Sequence, residues 1–177
     1  MDSYTLDYRH VPLLPFDMRN DYGPPIVDYD PEQHEGLFSR DAFPMVPVTL
    51  VGPEGDTLYE WAVVDTGSDH TCVPLELMAP LGVTLGACEM EDAAFHGAVT
   101  PYPRYTEGVE MKVAGSWRIT ARPHFLPAWR FVLLGREDFG AAFRWTLDER
   151  AGRLTLEAYQ DVERLPDPTT MLTEAAA

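Results

Sequence analysis

From residue 45 onward, apolar and polar positions alternate with a period of two, the spacing that turns one face of a strand inward and the other to solvent. Val46, Val48 and Leu50 alternate with Pro47 and Thr49. Pro47 predicts an edge strand there, because proline cannot donate to a ladder. Gly52-Pro53-Glu54-Gly55-Asp56 reads as a turn, and Leu58 to Val64 as a strand whose last residues are apolar on both faces and so buried between layers. Val109, Met111 and Val113, then Trp117, Ile119 and Ala121, flank Ala114-Gly115-Ser116 and predict a hairpin. Phe131-Val132-Leu133-Leu134 is a continuous apolar run ending at Gly135. Phe143, Trp145 and Leu147, followed by Leu154 and Leu156 beyond a turn at Asp148 to Gly152, predict two more strands. Helix signals are brief, with Pro74 to Leu81 and Glu137 to Phe143 sufficient for a turn or two each. Many short strands with little helix predict an all-β barrel or sandwich.

The ends differ from this body. Residues 1–43 carry Pro12, Pro15, Pro24, Pro25 and Pro31 among acidic and tyrosine positions, a composition that resists helix and interior strand alike. Val11-Pro12-Leu13-Leu14-Pro15-Phe16 is too apolar for a free tail, so an extended arm packed on its own body or on a partner is expected. Residues 44–159 form the domain, and residues 160–177, polar and ending in three alanines, read as a mobile tail.

A chain of 177 residues with 45% apolar content suffices for one well-cored domain. It holds no apolar run long enough for a membrane helix, and its first residues lack a signal-peptide pattern, so a cytoplasmic location is expected. The formal net charge is −16, from 29 acidic against 13 basic residues. That surface disfavours nucleic acid and anionic membranes as partners, and any dimer must rest on apolar or strand-pairing contacts. Cys72 and Cys88 read as reduced thiols. His70, Cys72, Cys88 and His96 include zinc-ligand types, but their spacing fits no compact zinc motif, and neither metal nor cofactor is expected.

The chemistry concentrates at Asp65-Thr66-Gly67-Ser68, directly after Trp61-Ala62-Val63-Val64. Asp and Gly are common turn formers, so a plain strand-ending turn is one reading. The other is a carboxylate delivered by a rigid strand to where a second carboxylate can approach. Two carboxyls that close cannot both ionise, so one stays an acid while the other acts as a base.

Val63-Val64-Asp65-Thr66-Gly67-Ser68-Asp69, followed in order by Leu133-Leu134-Gly135-Arg136 and a short helical stretch, resembles the retropepsin-type, single-domain aspartic proteases over about residues 45–158. The resemblance implies a closed barrel with a flap hairpin and one short C-terminal helix. It implies that Asp65 is catalytic, with Thr66 bonding across a dimer axis and Gly67 admitting substrate backbone. Ser68, Asp69 and Leu134 would meet substrate, as would His96 and Gly97 in a flap at Ala93 to Thr100. Asp69 and Arg136 would pair to buttress the dimer contact. Only one Asp-Thr-Gly is present, so a dyad requires a homodimer with the site on its twofold axis. The implied function is an aspartic endopeptidase acting on peptide or protein substrates. The alternative is a non-catalytic module of the same kind used for dimerisation or peptide binding.

Overall fold

The computed structural model describes residues 3–10, 42–95, 98–127 and 131–166. The described chain is mostly strand, as the alternation predicts. In order it forms β1 (Ser3–Asp7), β2 (Arg9–His10), β3 (Ala42–Phe43), β4 (Met45–Val51), β5 (Thr57–Val64), β6 (Cys72–Pro74), β7 (Glu89–Phe95), β8 (Ala98–Arg104), β9 (Val109–Val113), β10 (Trp117–Ala121), β11 (His124–Leu126), β12 (Val132–Leu134), β13 (Phe143–Asp148), β14 (Arg153–Ala158) and β15 (Glu163–Arg164). Leu75–Leu77 and Leu85–Ala87 are tight 3₁₀ turns, so the helix expected over Pro74 to Leu81 shrinks to one turn. Arg136–Gly140 makes one wide π-type turn.

The expected closed barrel is not what these strands form. A ten-stranded sheet runs β15-β10-β9-β4-β5-β12-β6-β11-β8-β7 and keeps two edges. β15 is only two residues long, and β7 carries Glu89, Glu91 and Asp92, charges that discourage further pairing. Strands β1, β14 and β13 make a separate three-stranded sheet, and β2 pairs with β3. Pro47 also differs from expectation, since β4 is interior, between β5 and β9. The strand tolerates it because Pro47 sits one residue outside the β9 register. Its carbonyl still accepts from Ala114 N (2.8 Å), while the Ala114 carbonyl accepts the Ser116 hydroxyl (3.3 Å) in place of the missing N–H.

Inward positions of β4, β9, β12 and β14 join Phe125, Phe139 and Phe143 in the main core. Trp117 packs edge-on to Phe143, and Phe139 stacks on Trp145, holding the π-type turn against the three-stranded sheet. The first residues lie extended on the body, β1 pairing with β14 through all five of its positions. The rest of the expected arm, residues 11–41, lies outside the described residues. The expected tail begins later than residue 160, because β15 pairs with β10; residues 167–177 are likewise outside. Among the described residues no helix is long and apolar enough to cross a membrane.

What positions the candidate site is the path of β12. It lies between β5, to which it is parallel (Val132 opposite Ala62, Leu134 opposite Val64), and β6, to which it is antiparallel (Leu133 opposite Cys72). The loop joining β5 to β6 must therefore cross over the end of β12.

Candidate active site

That crossing loop carries Asp65-Thr66-Gly67-Ser68. Asp65 N donates to Leu134 O (3.2 Å), Arg136 N to Ser68 O (3.0 Å) and Glu137 N to Asp69 O (2.8 Å). His124 N donates to Thr71 O (3.0 Å), so β11 holds the far side of the loop. Within it, Gly67 N donates to Asp65 Oδ1 (2.9 Å) and Ser68 Oγ to His70 O (2.7 Å). The carboxylate is thus oriented by its own loop, and the loop by backbone at residues 134–137. Gly135 is what allows this closeness. A Cβ there would sit 2.7 Å from His70 N and nearer still to the His70 carbonyl, all of it backbone that no rotamer change can clear.

A cleft of about 460 Å³ opens beside Asp65. Gly67, Ser68, Asp69 and His70 line it from the loop, Cys72, Leu126 and Leu133 from below, and Asp92 and Ala93 from β7. Thr66 is exposed just outside the lining. The Arg136 guanidinium donates to Asp69 Oδ1, joining the two expected partners. Both side chains are more than half exposed, so in a lone protomer the pair adds little to stability. Leu134 requires correction as a substrate contact: it is 0% exposed and belongs to the main core, whereas Leu133 faces the cleft. Neighbours on a strand point to opposite faces, so only one of the two leucines can reach substrate. His96 and Gly97 lie outside the described residues; the strands flanking them form the β7–β8 hairpin expected there.

Two further groups beside the cleft, Cys72 and His124, were not among the expected site residues. Cys72 is buried, and burial pushes its thiol up to about 11, so it is a neutral wall near neutral pH. His124 is 1% exposed, with neither ring nitrogen hydrogen-bonded, and its ring lies 4.7 Å from that of His70. Burial, then the neighbouring His70, holds it down to about 4. No local pattern marks it, because His124-Phe125-Leu126 is too short and too buried to alternate.

The depressed His124 sets an acid limit. Unfolded, the ring takes a proton near pH 6.5; folded, it stays neutral to about pH 4. Between these values the unfolded chain binds more protons at this ring, so its contribution to stability is complete above about pH 6.5 and is lost as pH falls toward 4. The expected loss is about 3 kcal/mol, read as a lower urea midpoint at pH 4 than at pH 7. His124→Gln should flatten that slope. An unchanged slope would show that the acid sensitivity comes from other groups.

Among the described residues, no group of three or more His, Cys, Asp or Glu side chains is placed to hold a metal ion. Compared with protein-family models and with curated proteins, the chain matches none.

Proposed function

We propose that this chain is a retropepsin-like aspartic endopeptidase that works as a homodimer in the cytoplasm. The observation that carries the proposal is the mounting of Asp65, in the lining of a cleft of about 460 Å³, on a loop stitched to the backbone that follows β12. An ordinary strand-ending turn needs no such distant support. The Asp69–Arg136 pair and the exposure of Thr66 and Gly67 beside the cleft agree with a face that meets its own copy.

In the dimer the two Asp65 carboxyls share one proton and hold a water between them. The ionised carboxylate takes a proton from the water as its oxygen attacks the scissile carbonyl carbon. The protonated partner gives its proton to the carbonyl oxygen, forming a tetrahedral diol. Collapse breaks the C–N bond as the carboxyl that took the water's proton gives it to the leaving nitrogen. The other carboxylate takes a proton from a diol hydroxyl and is left protonated for the next cycle. Leu126, Leu133 and the Cys72 thiol offer apolar surface to substrate side chains, and the β7–β8 hairpin covers the cleft as the flap. Extended peptides suit such a site because strand-like backbone bonds give affinity and side-chain pockets give selectivity.

The test pairs cleavage of a casein-derived peptide set between pH 3 and 7 with the mass of the protein at micromolar concentration. The expected result is a dimer whose cleavage is blocked by a statine-type transition-state mimic. A monomer at every concentration at which cleavage occurs would overturn the proposal. A dimer that binds peptides without cutting them would be the non-catalytic module instead.

A further inference from the structure

The β7–β8 hairpin meets the rest of the ten-stranded sheet at one backbone register, Arg104 opposite His124, at the last residue of β8. Beyond that point β8 is paired with β7 alone among the described residues. Past the base, Tyr102 of β8 packs against Cys72, Leu126 and Leu133, so the hairpin's backbone joins the sheet at the base and what fixes the base helps set the height of its strands. Asp92 and Ala93, which line the Asp65 cleft, ride on β7.

The Arg104 side chain, mostly buried, lies at this base. Nη1 donates to Glu91 Oε2 at 2.7 Å, within the hairpin and one residue before Asp92. Nη2 donates to Glu137 Oε2 at 3.4 Å, in the π-type turn beyond β12. The same Glu137 oxygen lies 3.0 Å from His70 Nδ1, and Glu137 N holds Asp69 O. On the hairpin side, Glu91 Oε2 lies 3.6 Å from His124 Nε2. One guanidinium therefore links the hairpin to the loop that carries the reactive carboxylate. A planar fork can serve two carboxylates at once, which a lysine ammonium in the same place does less well.

We propose that Arg104 is a positioning residue that clamps the base of the β7–β8 hairpin through Glu91 and Glu137, holding Asp92 and Ala93 over the Asp65 cleft so that an extended peptide is gripped between hairpin and loop. The clamp acts on binding, not on bond breaking, because Arg104 is not among the residues lining the cleft. Only the kinetic part of its test rests on the peptidase proposal.

The experiment compares the full chain with its Arg104→Met and Arg104→Lys variants by amide hydrogen exchange and by peptide kinetics. In Arg104→Met, exchange across residues 89–95 and 98–104 should quicken about tenfold, while β4, β5, β9 and β10 keep their protection. KM should rise about tenfold with kcat changed less than about twofold, the signature of lost binding alone. Arg104→Lys should fall between wild type and Arg104→Met in both measures. Should Arg104→Met fail to fold, Glu137→Gln cuts the same bridge from its other end and should loosen the same hairpin. Unchanged hairpin exchange, or loosening spread evenly over the sheet, would overturn the clamp. Absence of cleavage by the wild-type dimer would sink the peptidase proposal and leave the exchange pattern to decide the clamp by itself.

Discussion

Replacing Asp65 by Asn should lower the cleavage rate on the order of 10⁴-fold or more, the scale seen when one catalytic group of a cooperating set is removed. The fold should be untouched. Asn keeps an Oδ1 acceptor for Gly67 N, and the backbone bonds to Leu134, Arg136 and Glu137 do not involve this side chain. What Asn cannot do is share a proton with a partner carboxylate. Mixing gives a sharper result than the single variant. If each site takes one Asp65 from each protomer, only dimers of two wild-type chains are active. Activity then follows the square of the wild-type fraction, so an equal mixture allowed to exchange subunits should retain about a quarter, not half. Linear dependence on the wild-type fraction would mean that each chain works alone, and the shared-carboxyl mechanism would fall.

The second large effect is expected from Gly135→Ala. Its added methyl would be driven into the His70 backbone, so the loop carrying Asp65 must shift. Overpacking of this kind costs about 1–3 kcal/mol, and misplacing catalytic groups by about an ångström can cost on the order of a hundredfold in rate. The expected outcome is a thermal midpoint lowered by roughly 2–10 °C together with cleavage reduced about a hundredfold. Gly86→Ala is the control, since a Cβ at residue 86 meets nothing within 4 Å. If Gly135→Ala matched wild type as that control does, the loop would be looser than its hydrogen bonds imply.

Alternation exposed β4, the β9–β10 hairpin and the β13–β14 pair, because each buries one face more deeply than the other, whereas β5 showed as a run ending apolar on both faces. β6 and β11 gave no such signal, being three residues long and buried throughout. β1 did carry one, with Tyr4 and Leu6 set between Ser3, Thr5 and Asp7, but the prolines that follow argued for an arm. The body of the candidate site was legible in Asp65 to Asp69 and in Arg136. Its surroundings were not. Whether Leu133 or Leu134 faces the cleft turns on one step of strand register, and the Glu91–Arg104–Glu137–His70 cluster gathers single charged residues from separate elements.

The insertion of β12 between β5 and β6 has a consequence in time as well as in space. Residues 65–70 take their shape from backbone at 134–137, with His70 and Glu137 separated by 67 positions in the chain. Contacts that remote are slow to form, because the intervening polypeptide must first be ordered. During synthesis, a nascent chain that has emerged only as far as β11 lacks the support for its carboxylate loop. The shaped Asp65 loop is thereby deferred until Glu137 has left the ribosome.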